Sequence, residues 1–443
     1  MKNKKKKKLL EKIMLGCLIV ILLELAIMAI MKVSRERNLD RVNLFNDIIK
    51  TSDGYVAVGE SDFHDSNEVK EKTYEFRNSQ DNIKQTIIAT QARIAKYDND
   101  MNLIWERTYD DTKYDSTYYS LLEVDDGYIV VGSVIDEYKQ IEAKTRDAVI
   151  VKYDNNGKVV WKNTYTVLSD TEFYKIIQDD DNYVVIGQSI YENMEMGSHI
   201  TGGGIIVRYN SDGEEIAHNN YGGNKSGNFN DIIKVKDGYI VCGKDAANYG
   251  IVVKFKKDFN RDEEDYNLIS KKVMWQRTYS NTDEKGFTGM TMIGDTIYTV
   301  GAINISNEKD DDGKTIFKYD AGMVMYNKDG KYLGKYNIEA DIHHRFTSVL
   351  SDDKYLYLSM DMDVDSYYKG EKQVSKLIKY DYKEKRIVNE YLFDGKNNYI
   401  IKKLKDIDNK HMYVGTTNNN CTIRGCDYEN LYGYVEELKT SEN

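Results

Sequence analysis

The stretch that decides the fold runs from Tyr119 to Tyr165: YSLLEVDDGYIVVGS (119–133), a variable insert, then DAVIVKYDNNGKVVWKNTY (147–165). The chain repeats it with changes, as FYKIIQDDDNYVVIGQS (173–189) with GGIIVRYNSDGEEIAHNNY (203–221). A third version is FNDIIKVKDGYIVCGK (229–244) with YGIVVKFKKDF (249–259) and VMWQRTY (273–279). Repetition at a fixed period constrains the architecture before any single residue is interpreted.

Each copy holds four strand-like pieces. An apolar first piece (45–50, 119–124, 173–178, 229–235) ends in an Asp-Gly or Asp-Asn turn. A second follows at once: GYVAVG (54–59), GYIVVG (127–132), NYVVIG (182–187), GYIVCG (238–243). Tight Gly-containing turns between such runs predict hairpins. After an insert come a third and a fourth piece, ARIAKYD with LIWERTY, AVIVKYD with VVWKNTY, GIIVRYN with EEIAHNNY. Looser copies follow at 287–336, 346–391 and 399–438, the last incomplete. The glycine closing the second piece falls at 59, 132, 187, 243, 301 and 415, with Ser359 in its place in the sixth copy; successive spacings are 73, 55, 56, 58, 58 and 56.

Pieces such as YIVVG and AVIVKY are apolar on both faces, which predicts strands sandwiched between layers. The fourth alternates, with Val159, Trp161 and Tyr165 on one face and Lys162 and Thr164 on the other, as an outer strand would. The expected fold is therefore all-β: a β-propeller of about seven four-stranded antiparallel blades over 44–443, with six or eight blades as alternatives and a linear β-solenoid as the rival. The seventh copy lacks a clear fourth strand. A segment within 33–43, such as 38–43, is expected to complete it beside 432–438, because a ring hides its free edges only on closure.

The phrases IVKYD-x-NG-x-VVW-x-x-TY and DGYIVVG resemble propeller repeats of secreted and surface proteins in low-GC Gram-positive bacteria. They are also similar to the PQQ-like propeller repeat, with Trp161 following an Asp-x-x-Gly turn from Asp154. The resemblance covers nearly all of 44–443. It implies a membrane-anchored extracytoplasmic repeat protein and a fold, with no cofactor ligands and no reaction. The Gly-His and Trp-Asp signature of WD40 repeats, the paired glycines of kelch and the boxes and arginine triad of sialidases are absent.

The N-terminus has a different character. Lys2 and Lys4 to Lys8 form a basic run, and residues 13–31 are apolar or small except for Glu24. Nineteen residues at about 1.5 Å each match a hydrocarbon core of about 30 Å. The run exceeds a signal-peptide core and lacks a small-residue cleavage site, so an uncleaved transmembrane helix is expected. Lysine is denser before it than after, which places the basic tail 1–12 in the cytoplasm, 32–43 beside the membrane and the rest outside a bacterial cell membrane. Glu24 near mid-span is a candidate intramembrane contact. Met14-Leu15-Gly16-Cys17 superficially resembles a lipobox, but the apolar run follows the cysteine instead of preceding it.

The net charge of −11 is split: residues 1–32 carry eight lysines against Glu11 and Glu24, leaving −17 on the remaining 411. An acidic body argues against nucleic acid as a partner. Partners are expected to be the membrane, through 13–31, and a protein or envelope ligand on the face bearing the inserts (61–90, 134–147, 190–203, 244–249, 302–319, 361–373, 417–429). Asp361, Asp363 and Asp365 alternate like the start of a calcium loop and are the candidate metal ligands. Ser366 and Lys372 stand where an EF-hand has Gly and Glu. No other cofactor is expected. Cys421 and Cys426 are candidates for a small disulfide in one loop. No H-E-x-x-H, G-x-S-x-G or phosphate-binding loop is present. The expected function is a non-enzymatic binding or scaffold module, the alternative an extracytoplasmic hydrolase or lyase acting on glycan or cell-wall substrates.

Overall fold

In the computed structural model the described residues are 43–62, 71–77, 82–88, 90–100, 102–109, 115–135, 146–166, 170–193, 199–221, 227–260, 271–309, 315–339, 343–363, 374–393, 398–407, 410–418, 421–422, 425–426 and 431–437. Residues 13–31, Glu24 included, and 38–42 lie outside them. Among the described residues every regular element is a strand, and no helix is long and apolar enough to cross a membrane.

Six units of four antiparallel strands follow one another, a propeller-like arrangement, and a further group of three strands closes the described chain. Unit two is the stretch quoted first: Ser116–Val124, Gly127–Val134, Asp147–Asp154 and Val159–Tyr165, paired in that order. The other units cover 43–108, 170–221, 228–279, 282–338, 343–393 and 398–437. The first strands of successive units touch in chain order, and that of unit seven (Asn398–Ile407) touches that of unit one (Asn43–Thr51), so their order is cyclic. Units seven and one also share a sheet through one parallel pairing, Asn43 with Tyr432.

The burial pattern follows the sequence pattern. Every residue of Gly127–Val134 is buried, whereas Val159–Tyr165 is exposed except for Tyr165 and the half-buried Trp161. Each fully buried Val or Ile contributes roughly 1.5–3 kcal/mol relative to exposure. The cores lie between sheets: Ile129, Val131 and Ile150 of unit two pack with Phe173, Val185 and Ile205 of unit three. The first strand of every unit carries a β-bulge just after an apolar or aromatic residue, at 46, 119, 174, 230, 288, 347 and 402. A bulge bends and twists a strand, as suits the crowded centre of a ring.

The fourth-strand tryptophans join units at the periphery. Trp105, Trp161 and Trp275 lie against Gly157, Gly213 and Gly330, each in the third-to-fourth-strand turn of the next unit. Two residues later, Asn163 Nδ2 donates to the Gly213 carbonyl (2.6 Å) and Arg277 Nε to that of Gly330 (2.5 Å). Gly213 has φ +80°, and a Cβ there would stand 2.7 Å from the Trp161 ring. Gly213→Ala is expected to cost about 1–2 kcal/mol from the left-handed backbone plus the displacement of the indole. Gly294 (φ +57°) has open space around its Cβ position and isolates the backbone part. Denaturant unfolding should find Gly213→Ala the less stable variant by about 1 kcal/mol or more; equal losses would refute the packing role.

Candidate functional site

The two ends of the ring differ in construction. At one end lie the short turns, held by a repeated ion pair from the third strand to the first turn: Lys96 to Asp53 (2.9 Å), Lys152 to Asp126 (2.8 Å) and Lys254 to Asp237 (2.8 Å). The Lys96 hydrogen bond holds the Asp53 carboxyl below its ordinary value, the Thr51 hydroxyl adding to it. The aspartates are more than half exposed, so each pair contributes only about 0–1 kcal/mol.

At the other end the inserts emerge, and several of those expected as loops are strands. The first carries a separate hairpin of Glu71–Arg77 with Asn82–Ile88. In unit three the second and third strands stay paired out to Asn193 with His199. In unit five they stay paired to Lys309 with Thr315, past an irregularity between Ile303 and Ser306. Polar sequence with period-two alternation, such as Ile303-Asn304-Ile305-Ser306, can prolong a ladder as well as end it. The strand His343–Ser351 of unit six opens on two adjacent histidines, His343 and His344.

Two polar assemblies sit where the first strands open onto this face. The first joins units two and three around Glu172, a buried carboxylate. It accepts hydrogen bonds from Arg146 Nη1 (2.7 Å), Gln188 Nε2 (2.9 Å) and Tyr119 Oη (2.9 Å), with Ser133 Oγ at 3.4 Å. Burial, and then the Glu172 charge, push the Tyr119 hydroxyl far above its ordinary value, so it remains a donor. Burial opposes the charge on Arg146, but Glu172 outweighs it and the guanidinium is held protonated. Tyr174, raised by burial in the same way, stacks edge-on against Tyr119 with ring centres 5.3 Å apart. The second is a cavity of about 300 Å³ between units four and five, lined by Asn228, Asn230, Lys244, Lys285 and Thr288. Beside it, Asp283 at the start of unit five forms a buried ion pair with Arg345 of unit six.

Below the mouth the first strands are laced together. Asn46 Nδ2 donates to the Tyr118 carbonyl (2.9 Å), and Asn230 Nδ2 to that of Phe287 (2.8 Å). Asp47 accepts from Ser120 Oγ (2.9 Å) and the Leu121 N–H (3.2 Å). Asp231 accepts from the Met290 N–H (2.9 Å) and pairs with Lys175 of unit three. Both aspartates stand in the same hexapeptide, FNDIIK, at 45–50 and 229–234. That identity is the one sequence signal that could have pointed to the lacing.

The residues singled out in the sequence are dispersed. Asp361 and Asp363 lie on the strand Tyr355–Asp363, two residues apart and so roughly 7 Å between Cα atoms, rather than in a loop. Asp361 accepts a hydrogen bond from Ser375 Oγ (2.8 Å). Asp365 lies outside the described residues, among which no group of three or more His, Cys, Asp or Glu side chains is placed to hold a metal. Cys421 and Cys426 are directly opposed in a two-stranded ladder. Cys242 is a buried free thiol, as its Val-like position implies.

Comparison with known proteins gives a fold-level likeness alone. No family model matches the chain, and no curated protein does. Among solved structures, a candidate 6-phosphogluconolactonase from Bacteroides uniformis aligns over 79% of this chain and 91% of its own, at 9% identity and a TM-score of 0.41. A second, from Bacteroides fragilis, aligns over 79% and 89% at 12% identity and a TM-score of 0.37. The extracellular region of plexin A4 aligns over 65% and 44% at 9% identity and a TM-score of 0.37.

Proposed function

We propose that the chain is a membrane-anchored, seven-bladed propeller outside the bacterial cell, whose insert-bearing face binds a protein or envelope ligand without transforming it. The anchor reading rests on residues 13–31 and the lysine bias around them. Seven blades are supported by the steady period and by the cyclic order of the first strands. The backbone opposition of Cys421 and Cys426 supports a disulfide that would fasten the seventh insert.

The observation that carries the binding role is the asymmetry between the faces. One end is finished with short turns repeated from unit to unit. The other raises paired strands in units one, three and five, each of different length and sequence. Individual rigid projections on a common ring suit recognition of one large partner.

The test is cross-linking of the full-length protein in its native membrane, comparing wild type with a variant in which 63–89 is replaced by a short Gly-Ser turn. A discrete cross-linked partner is expected for wild type and should be lost in the variant, while the variant's unfolding midpoint stays close to wild type. An unchanged cross-linking pattern would remove the insert-face assignment.

A further inference from the structure

We propose that the cavity between units four and five is a binding site for a small hydroxylated carboxylate of sugar-acid type, seated on Lys244. The volume of about 300 Å³ lies at the lower end of small-molecule pockets. Its lining comes from both units: Asn228, Asn230 and Lys244 from one, Lys285 and Thr288 from the other.

The donors and acceptors on this lining define what fits. Lys244 is half-buried, and its ammonium donates to Asn248 Oδ1 at 3.3 Å. With three donors, it retains capacity for an anion. Among the described residues no carboxylate is paired with it. Asp245 accepts the Ala247 and Tyr249 N–H groups (2.9 and 3.0 Å), and Asp283 is committed to Arg345. Asn228 Nδ2 donates to Asn230 Oδ1 (2.7 Å), while Asn228 Oδ1 is buried without a hydrogen-bond partner among the described residues. An orphaned buried acceptor calls for a donor. Thr288 Oγ1 gives its proton to the Phe346 carbonyl (2.7 Å) and so offers only lone pairs inward.

The lining therefore asks for negative charge at Lys244 and for hydroxyl donors at Asn228 and Thr288. A simple anion satisfies only the first, a neutral sugar only the second. The wall is fixed by a close approach: Gly286 has φ +65°, and a Cβ there would fall 2.6 Å from both the Gly243 carbonyl oxygen and Lys244 Cβ. In a body of net charge −17 this local cation also supplies selectivity, because no long-range field draws anions in.

The experiment uses the full-length protein in detergent, titrated calorimetrically with glucuronate and, separately, with glucose and acetate. Saturable binding of glucuronate is expected, with affinity at least about tenfold weaker for either of the others. Lys244→Met should weaken glucuronate by about tenfold or more, the equivalent of one charge-assisted hydrogen bond. Lys256→Met, an exposed lysine at the opposite end of the ring, should leave it unchanged. The unfolding midpoint of each ligand-free variant reports that it is folded, and Asn228→Leu provides a second substitution should Lys244→Met be destabilised. Undetectable glucuronate binding, equal binding of glucose, or equal binding by Lys244→Met would each overturn the assignment. None of these results bears on whether the insert face holds a macromolecular partner, so the two readings fail separately.

Discussion

Asp231→Ala is expected to destabilise the protein by about 3–5 kcal/mol, the usual loss when one partner of a buried ion pair is removed. The side chains of Lys175 and Asp231 are 23% and 12% exposed, and they join units three and four at the centre of the ring. Asp231 also accepts the N–H groups of Ile232 (2.8 Å) and Met290 (2.9 Å), so its loss strands donors in units four and five together. Burial works against the charge on Lys175, but Asp231 outweighs it and the ammonium lies above its ordinary value of 10.5. A raised lysine stabilises the fold fully below its unfolded value and loses that contribution as pH rises through the folded one. In wild type the contribution of the pair should accordingly be constant from neutral pH to about 10 and be lost only above the ordinary lysine range. In Asp231→Ala burial acts on Lys175 without Asp231 to oppose it, so the difference between the two proteins should begin to shrink at lower pH. The double variant Lys175→Met/Asp231→Ala should recover part of the loss, since it removes the uncompensated cation. Equilibrium unfolding in guanidinium at several pH values measures all of this. A single-variant loss under about 1 kcal/mol would mean that the pair behaves as a surface contact.

That pair also marks the limit of what was legible in advance. Strand order, the sandwiched second and third strands, the exposed fourth and the near-constant period were all readable, because each is a local pattern of apolar residues repeated along the chain. Tyr119–Tyr165 forms one four-stranded unit, as its pattern implies. The lacing between first strands was not readable from periodicity, since it joins residues about 55–75 positions apart in sequence, as in Asp47 with Ser120 and Asp231 with Met290. Only the duplicated FNDIIK hinted at it. The inserts were misread for the opposite reason: polarity indicated loops, whereas 190–193 and 303–309 continue their ladders. Acidic spacing has two readings as well. Asp361-x-Asp363 has the alternation of a calcium loop, yet two-residue alternation is also what a strand displays, and the residues lie on one. At the candidate site, Lys244 and Asn228 are ordinary strand-end residues paired within unit four, and the Lys285 and Thr288 that complete the lining meet them only once unit five packs against it.

The same dependence on neighbouring units makes Phe229→Ala the other large effect. Phe229 is fully buried at the start of unit four, with ring centres 5.6 Å from Tyr221 of unit three and 5.9 Å from Phe255 of its own unit. Its face lies on Gly204 of unit three, where a Cβ would come within 2.7 Å of the ring. Glycine ends the run Gly202-Gly203-Gly204 because the aromatic wedge needs the backbone itself as its floor, not because the strand must bend. Truncating a buried phenylalanine costs about 3–5 kcal/mol, through lost transfer energy and the cavity left behind. Here the cavity opens between two sheets, so both adjoining units should lose protection in amide hydrogen exchange while unit six keeps its own. Gly204→Ala should be destabilising alone, by overpacking against the ring. In the background of Phe229→Leu, however, the added methyl enters space the ring has vacated. The double variant Gly204→Ala/Phe229→Leu should therefore be more stable than the sum of its singles by about 1 kcal/mol or more, the coupling expected of residues in direct contact. Strict additivity in that cycle would mean that Phe229 stabilises unit four from within and is not the wedge between neighbouring units.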